Sequence, residues 1–336
     1  MSQFWDRLYA SVIAPIDSLV SLHSPFNGLF LLLTVLFCAG VYVLRAGRVL
    51  RLRSLRRLLF PRRIFLHASA KLDYKYYVVA TIFRAGMLGT MVISSAATAA
   101  LALFTLEKAF GPSAPFAAPL YVVLPIVTIA QVLLFDLGYW ISHRLMHEIP
   151  LLWEFHKPHH AAEVLTPATS ARSHPVEDII QTNFTAATLG LGYGVLVYIF
   201  GESQPVRLLE TNIFFFVYFA TIFHLRHSHV WLPIRGWLGY IIQSPAHHHI
   251  HHSDDPRHYG KNLGFSLSIW DWLFGTLYVP NKREEIQFGL GGESKDFASV
   301  KDLLLMPFSK AWRLIAPRSS PAQVVSPQVI AKPHET

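Results

Sequence analysis

Charged residues are scarce in this chain. Asp, Glu, Lys and Arg make up 15% of its 336 residues, against about 25% in an average soluble protein. Hydrophobic residues make up 52%, and the mean hydropathy is +0.35. This balance argues against the two soluble domains that the length alone would suggest, and it predicts an integral membrane protein.

Cysteine is almost absent as well. Cys38 is the single cysteine, which excludes an intrachain disulfide, a cysteine-held zinc site and a thiolate-held iron–sulfur cluster. The sequence also lacks Glu-x-x-His, His-Glu-x-x-His and Gly-x-Gly-x-x-Gly. These absences argue against a carboxylate-bridged di-iron bundle, a zinc metalloprotease and a nicotinamide or flavin fingerprint. Any metal must therefore be held by other ligands.

Positive charge is concentrated in one place. The formal net charge is +8, and much of it comes from an arginine run directly after the apolar stretch at 26–44. The run comprises Arg45, Arg48, Arg51, Arg53, Arg56, Arg57, Arg62 and Arg63. Arginine-rich loops beside membrane spans usually stay in the cytoplasm, so this loop is predicted to be cytoplasmic. Its predicted partners are phospholipid head groups and not nucleic acid.

The apolar stretches predict an all-α, polytopic membrane protein with about four to five spanning or re-entrant helices. They cover residues 26–44, 76–103, 117–142, 179–200 and 209–223. The amino terminus lacks the pattern of a removable signal peptide, and its apolar spacing predicts a helix lying on the membrane surface. With the arginine loop in the cytoplasm, 76–103 would cross outward and 117–142 would return, and 179–200 and 209–223 would form a membrane hairpin. This order of crossings predicts a cytoplasmic helical cap, formed by the residues that follow 143 and 224.

Histidine is abundant and clustered. Of 18 histidines, 15 lie between His143 and His258. The pair HRLMH at 143–147, the triple HKPHH at 156–160 and the run HHHIHH at 247–252 repeat the spacings i, i+3 and i+4, which place side chains on one helix face. Imidazole is the commonest metal ligand in proteins. One tetrahedral ion needs about four ligands, so these histidines predict a dimetal site held almost entirely by imidazole.

Asp136 stands two helical turns before His143 in an apolar segment. An unpaired carboxylate there is costly, so a partner is expected. We predict that Asp136 supports catalysis from behind the ligands, by fixing an imidazole or an arginine beside the metals.

The three histidine motifs, set between paired membrane segments, resemble the histidine boxes of the fatty acid hydroxylase/sterol desaturase superfamily of membrane di-iron oxygenases. The likeness extends to the Asp and Tyr-Trp before the first box, RSHP at 172–175, HSH at 227–229 and PRHYGKNLGFSLSIWDWLFGTLYVP after the third box. It covers roughly residues 120 to 290.

The resemblance implies a set of metal ligands. They are His143, His147, His156, His159, His160, His227, His248, His251 and His252, with His174 and His247 as further ligands or supporting groups. For His224, His229, His249 and His258 a role outside the site is favoured. Arg144 and Arg172 are candidates either for the site or for contacts with lipid phosphate, and Asn262 and Asp271 for structural roles near the metals.

Three regions are expected. Residues 1–75 would hold the interfacial helix, the first membrane segment and the basic loop. Residues 76–290 would form the hydroxylase/desaturase-like catalytic domain, and 291–336 a carboxy-terminal segment that is disordered after about residue 317, where Pro and Ser dominate.

The resemblance implies two iron ions, O2 as co-substrate and a lipid substrate, with zinc as a possible substitute metal. The reaction would be hydroxylation of a lipid C–H bond, with desaturation as the close variant. Because the chain carries no flavin or nicotinamide fingerprint, an external reductase or small redox carrier must supply electrons. A zinc-dependent membrane hydrolase and a metal transport or storage protein remain as alternatives.

Overall fold

The structure is a computed structural model, and it describes residues 2–46 and 52–316. Arg48 and Arg51 of the basic run and the predicted disordered tail lie outside the described residues. The described chain is mostly helical, which agrees with the predicted class. Its helices are α1 (Ser2–Val20), α2 (Gly28–Ala46), α3 (Leu52–Leu59), α4 (Arg62–Phe65), α5 (Ala68–Met91), α6 (Ser95–Phe110), α7 (Leu120–Glu148), α8 (Pro150–His160), α9 (Pro175–Phe200), α10 (Ile213–Thr221), α11 (Phe223–Arg226), α12 (Pro245–His251), α13 (Ile269–Leu273) and α14 (Val300–Ile315).

Three of the described helices are long and apolar enough to cross a membrane. They are α2, α7 and α9, of 19, 29 and 26 residues. About 20 residues suffice for a hydrocarbon layer of roughly 30 Å. The protein is therefore assigned to a membrane, while the predicted total of four to five crossings stays a prediction.

The stretch at 76–103 is two helices instead of one crossing. It breaks at residues 92–94, between α5 and α6. The Ser94 side chain caps α6 by accepting from the Ala97 amide. Asn183 of α9 gives hydrogen-bond partners to the backbone groups at the break, because it accepts from the Ile93 amide at 2.8 Å and donates to the Met91 carbonyl at 3.0 Å.

The stretch at 209–223 is also irregular. A short antiparallel hairpin pairs β1 (Arg207–Leu208) with β2 (Thr211–Asn212). The nine-residue α10 follows, capped by the Asn212 side chain at the Phe214 amide. A helix of this length is too short to span a bilayer, so 179–200 and 209–223 are not two equal arms of a membrane hairpin.

Close helix packing positions the centre of the protein. α9 packs against both α6 and α7. A Cβ atom at Gly138 would collide with Thr185 of α9, and one at Gly190 would collide with Ser95 of α6. Glycine at these two positions therefore permits the close approach of the helices. Arg84 of α5 joins the same bundle through an ion pair with Asp178 at 2.7 Å.

The segments after α7 and α9 form a cap of short helices and loops. Arg172, which the sequence left as a possible lipid anchor, is buried here and is 1% exposed. It donates to Asp73 of α5 at 2.8 Å and to the Pro158 carbonyl at 2.8 Å. The long helix α14 closes the cap by packing Leu303 against Tyr76 of α5.

Candidate metal centre

The first two histidine motifs lie on adjacent helices. His143 and His147 stand one turn apart near the end of α7, with ring centroids 5.0 Å apart. On α8, His156 and His160 are also one turn apart and face α7. His159 lies between them in sequence and is rotated away, so its ring meets that of His227 at 5.0 Å instead.

The remaining histidines of the site are His227, directly after α11, and three from the end of α12 and the residue that follows it: His248, His251 and His252. α12 begins at Pro245, and the Ser244 side chain caps it by accepting from the His247 amide at 3.2 Å. His248 and His252 are four residues apart and face His227. His251 is turned toward His143, with ring centroids 4.6 Å apart.

These nine rings form two groups, and in each group one ligand atom per ring lies within 4.8 Å of all the others. The first group, called here the five-histidine group, is His143, His147, His156, His160 and His251. The second, the four-histidine group, is His159, His227, His248 and His252. The two groups adjoin, since the rings of His160 and His252 stack with centroids 4.6 Å apart.

The spacing of the ring nitrogens fits metal ligation. Nε2 of His156 lies 3.0 Å from Nε2 of His143 and 3.1 Å from Nε2 of His160. In the other group, Nε2 of His227 lies 2.9 Å from that of His248. Neighbouring ligands on one ion lie about 3 Å apart when metal–nitrogen bonds are about 2.1 Å. Neither ring nitrogen of His147 has a hydrogen-bond partner among the described residues.

Burial keeps these rings neutral. It lowers the pKa of His159, His160 and His252 well below the ordinary value, and the neighbouring histidines lower it further. A neutral imidazole carries a free lone pair on one nitrogen, which is the form that binds metals. Burial therefore favours the protonation state that binds metals.

Hydrogen bonds at Nδ1 fix the proton of three rings in the five-histidine group. His143 donates to the Leu263 carbonyl at 2.7 Å, and His251 to the Lys261 carbonyl at 2.9 Å. His156 faces the Glu177 carboxylate at 2.9 Å. With Nδ1 protonated, Nε2 of each ring directs its lone pair into the group.

The four-histidine group is supported differently. Among the described residues, the only contact at an Nδ1 of this group runs from the Arg226 guanidinium to His248, at 3.0 Å. Guanidinium can only donate, so His248 accepts at Nδ1 and carries its ring proton on Nε2. Ligation through Nε2 of His248 therefore requires Arg226 to turn away from Nδ1.

Asp136 contacts no imidazole and no arginine among the residues that the structure describes. Its carboxylate accepts from the backbone amides of Phe265, Ser266 and Leu267 at 3.0 to 3.1 Å, and from the Ser266 hydroxyl. Asp136 therefore fixes the loop at 263–267. The carbonyl of Leu263 in this loop accepts from Nδ1 of His143, so the loop connects Asp136 to this predicted ligand.

Asp271 holds the same loop from the other side. It accepts from the amides of Leu263 and Gly264 at 2.9 Å each, and from the Trp140 indole at 3.1 Å. Burial raises its pKa, and these hydrogen bonds oppose that rise. Asn262, with a positive φ of 56°, donates to the carbonyls of His247 and Tyr278 and so ties the loop to α12.

Two predicted ligands lie outside both groups. His174 caps α9 by accepting from the Val176 amide at 3.1 Å, and its Nε2 contacts the Leu304 carbonyl at 3.0 Å. His247 contacts Ser244 through Nδ1. The four histidines with a favoured role elsewhere, His224, His229, His249 and His258, are also outside the groups. Arg144 pairs with Glu148 at 2.6 Å near the surface.

Glu177 was missed in the sequence, although it touches a predicted ligand. It lies two residues after the RSHP motif and just before the apolar stretch assigned to 179–200. Its position in the first turn of α9, beside the capping residue His174, is the signal that could have identified it. A carboxylate at the membrane end of an apolar helix needs a partner, as Asp136 does.

Comparison with known proteins agrees with the histidine motifs. The Fatty acid hydroxylase family model matches residues 128–276, which include all nine grouped histidines. This part of the chain therefore resembles the fatty acid hydroxylase family. No solved structure matches the chain.

Named relatives within this superfamily differ in how much of them the chain covers. Alkylglycerol monooxygenase of Xenopus tropicalis is 29% identical over 46% of this chain and 31% of its own length. Ornithine lipid hydroxylase OlsE of Rhizobium tropici is 30% identical over 53% and 49%, respectively. Sphinganine C4-monooxygenase 1 of Arabidopsis thaliana is 28% identical over 70% and 85%. The chain thus covers from a third to a half of the first two relatives.

Replacing Asp136 by Asn should loosen the loop at 263–267 without emptying the site. Asparagine keeps the size but loses the charge that accepts several donors, so we expect normal insertion, partial metal retention and turnover reduced about 10- to 100-fold. Metal analysis of purified protein and lipid product formed in cells measure both effects. Asp17→Asn, at an exposed position of α1, is the control. Full activity of Asp136→Asn would show that the loop does not need this carboxylate.

Alanine variants should separate the two groups. His147→Ala removes a ring from the five-histidine group, and His227→Ala removes one from the four-histidine group, so each should lose metal chiefly from its own group. His249→Ala is the matched control, because His249 is buried beside the site but belongs to neither group. Metal content of the purified proteins is the measurement. Equal metal loss in all three variants would contradict two separate binding groups.

Proposed function

We propose that the protein is an oxidoreductase: a membrane-bound hydroxylase that uses O2 and two iron ions to oxidise a lipid C–H bond. The observation that carries this proposal is the pair of adjoining all-histidine groups, five rings and four, inside the region of the superfamily match. The names of the matched relatives, which include an alkylglycerol monooxygenase and an ornithine lipid hydroxylase, support a lipid substrate.

We assign the metals to the nine grouped histidines, one ion to each group. When bound, iron would supply the activation of O2 that breaking an unactivated C–H bond requires. Zinc fits the same imidazoles but has no redox chemistry. An all-imidazole ligand set without carboxylate distinguishes this site from bundle-type di-iron proteins.

The residues around the ligands hold protons and exclude water. Glu177 and the carbonyls of Leu263 and Lys261 keep protons on Nδ1 of three rings, so that these rings cannot present the wrong nitrogen. Trp153 covers His147 and His160, with ring centroids 5.1 and 5.2 Å away. This indole shields the five-histidine group from bulk water and limits hydrolytic side reactions.

Electrons must come from outside the chain. Hydroxylation by O2 consumes two electrons beyond those of the C–H bond, and the sequence has no nicotinamide or flavin fingerprint. We therefore propose a separate reductase or small redox carrier as partner. The cap is its expected docking region, because the histidine groups lie there.

We also propose that the cap and the basic segment share the cytoplasmic side of the membrane. In a variant without Cys38, new cysteines at Ser54 and Ser299 should both be protected from an impermeant thiol reagent in intact cells. A cysteine at Glu210, at the other end of α9, should react. All three positions are exposed to solvent in the structure. Reaction at Ser299→Cys but not at Glu210→Cys would reverse the proposed orientation.

Lipid extracts test the reaction. Cells that make the protein should contain a lipid heavier by one oxygen atom than its precursor, and the label should appear when 18O2 is supplied. A loss of two hydrogens would instead assign desaturation to the same site. Variant His251→Ala should lose the product, whereas His23→Ala, at an exposed position, should keep it. Product formed without O2 by zinc-loaded protein would favour a hydrolase, and metal accumulation without any product would favour transport or storage.

A further inference from the structure

A second feature of the molecule combines the amino-terminal helices with part of the matched region. A cavity of about 600 Å³ opens between the amino-terminal helices and the cap. Small-molecule sites usually measure about 300 to 1,000 Å³, so the cavity has the size of a binding site. Its walls come from α1 to α5, residues 166–168, α11 and residues 228–230. They include Val35, Cys38, Leu59, Phe65, Ala168 and Leu225.

The chemistry of the walls selects a hydrocarbon. None of the lining residues, all of which the structure describes, is Asp, Glu, Lys or Arg. A charged group inside this cavity would lose its hydration without gaining an ion pair, which is costly. An alkyl chain, in contrast, gains by leaving water at roughly 25 cal/mol for each Å² buried.

The helices that supply one wall also carry exposed positive charge. Leu59 of α3 and Phe65 of α4 face the cavity. The same two helices carry the exposed residues Arg53, Arg56, Arg57, Arg62 and Arg63. Among the described residues, none of these arginines forms an ion pair. An apolar cavity thus lies next to uncompensated guanidinium groups, which bind carboxylate and phosphate well.

The cavity also adjoins the metal centre. Leu225 and Ser228 line it, while His227 between them belongs to the four-histidine group. His229, next in the chain, donates to the Leu58 carbonyl of α3 at 2.7 Å. The short segment at 225–229 therefore separates the cavity from the predicted metal ligands. The hydrogen bond of His229 ties this segment to α3.

We propose that this cavity binds the hydrocarbon chain of an anionic lipid, whose carboxylate or phosphate head group lies on the arginines of α3 and α4. Most of the lining residues lie before residue 76 and therefore outside the region of the family match, while Ser228 and His229 of the HSH motif form part of the opposite wall. The proposal concerns binding alone and holds whichever reaction the metal centre performs.

Binding of tritiated palmitate and tritiated hexadecanol to the full-length, metal-depleted protein in detergent tests the proposal. The two probes have the same chain length and differ in head-group charge. The wild-type protein should bind palmitate at least about threefold more tightly than hexadecanol, because several exposed arginines each add a small attraction. Equal affinity for the two probes would overturn the role of the arginines.

Two cavity-filling variants test the chain site from opposite walls. Val35→Trp on α2 and Ala168→Phe in the turn should each weaken both probes about tenfold or more. Leu36→Trp is the matched control, because Leu36 neighbours Val35 but is 57% exposed on the outer face of α2. If Val35→Trp does not fold, Ala168→Phe decides alone. Unchanged binding in the folded filling variants would overturn the proposal.

The double variant Arg56→Gln/Arg57→Gln tests the head-group contact. It should weaken palmitate several-fold and leave hexadecanol unchanged. Arg207→Gln, at an exposed arginine of β1 far along the chain, should change neither. An equal effect of the double variant on both probes would show that the arginines do not contact the head group. Because the protein is metal-depleted, these outcomes are independent of whether the oxygenase proposal holds.

Discussion

The structure depends on one constraint: nine imidazole rings converge out of contact with water, with ring nitrogens about 3 Å apart. Buried polar atoms without partners are costly, and protonating adjacent rings would place like charges side by side in a medium of low dielectric constant. Cations between the rings remove both costs at once, because each lone pair then gains a partner. The same burial that lowers the pKa of these histidines therefore favours metal binding, and the fold around them must hold their unpaired ring nitrogens at this short spacing.

The surrounding chain provides that restraint through two carboxylates that never touch the rings. Asp136 on α7 and Asp271 on α13 accept from successive amides of the loop at 263–267. This loop presents the Leu263 carbonyl to His143. Helix α7 carries His143 and, through Asp136, also anchors the loop whose Leu263 carbonyl contacts His143. Because Asn262 ties the same loop to α12, the positions of α7 and α12 are coupled. The four-histidine group has less support of this kind, and its contact with Arg226 gives the two groups different electrostatic surroundings.

The sequence located the histidines that the fold brings together, but not the local breaks in its apolar stretches. Helical spacing predicted that His143 and His147, or His248 and His252, share a face, and the resemblance assigned the nine histidines that meet. Spacing alone could not divide them into groups, because the ring of His159 meets those of His227 and His252, which come from distant parts of the chain. The partners of Asp136 were unpredictable for the same reason, since they are backbone amides about 130 residues away. Hydropathy could not show the break at residues 92–94, which Asn183 of a distant helix satisfies.

X-ray absorption at the iron edge of protein loaded anaerobically with iron tests the central claim most directly. Two irons per chain with first shells dominated by imidazole nitrogen, and with the outer scattering typical of that ring, are the predicted result. The loss of part of that imidazole signal in His147→Ala would follow from the grouping. A single iron per chain, or shells made mainly of carboxylate oxygen, would contradict the account.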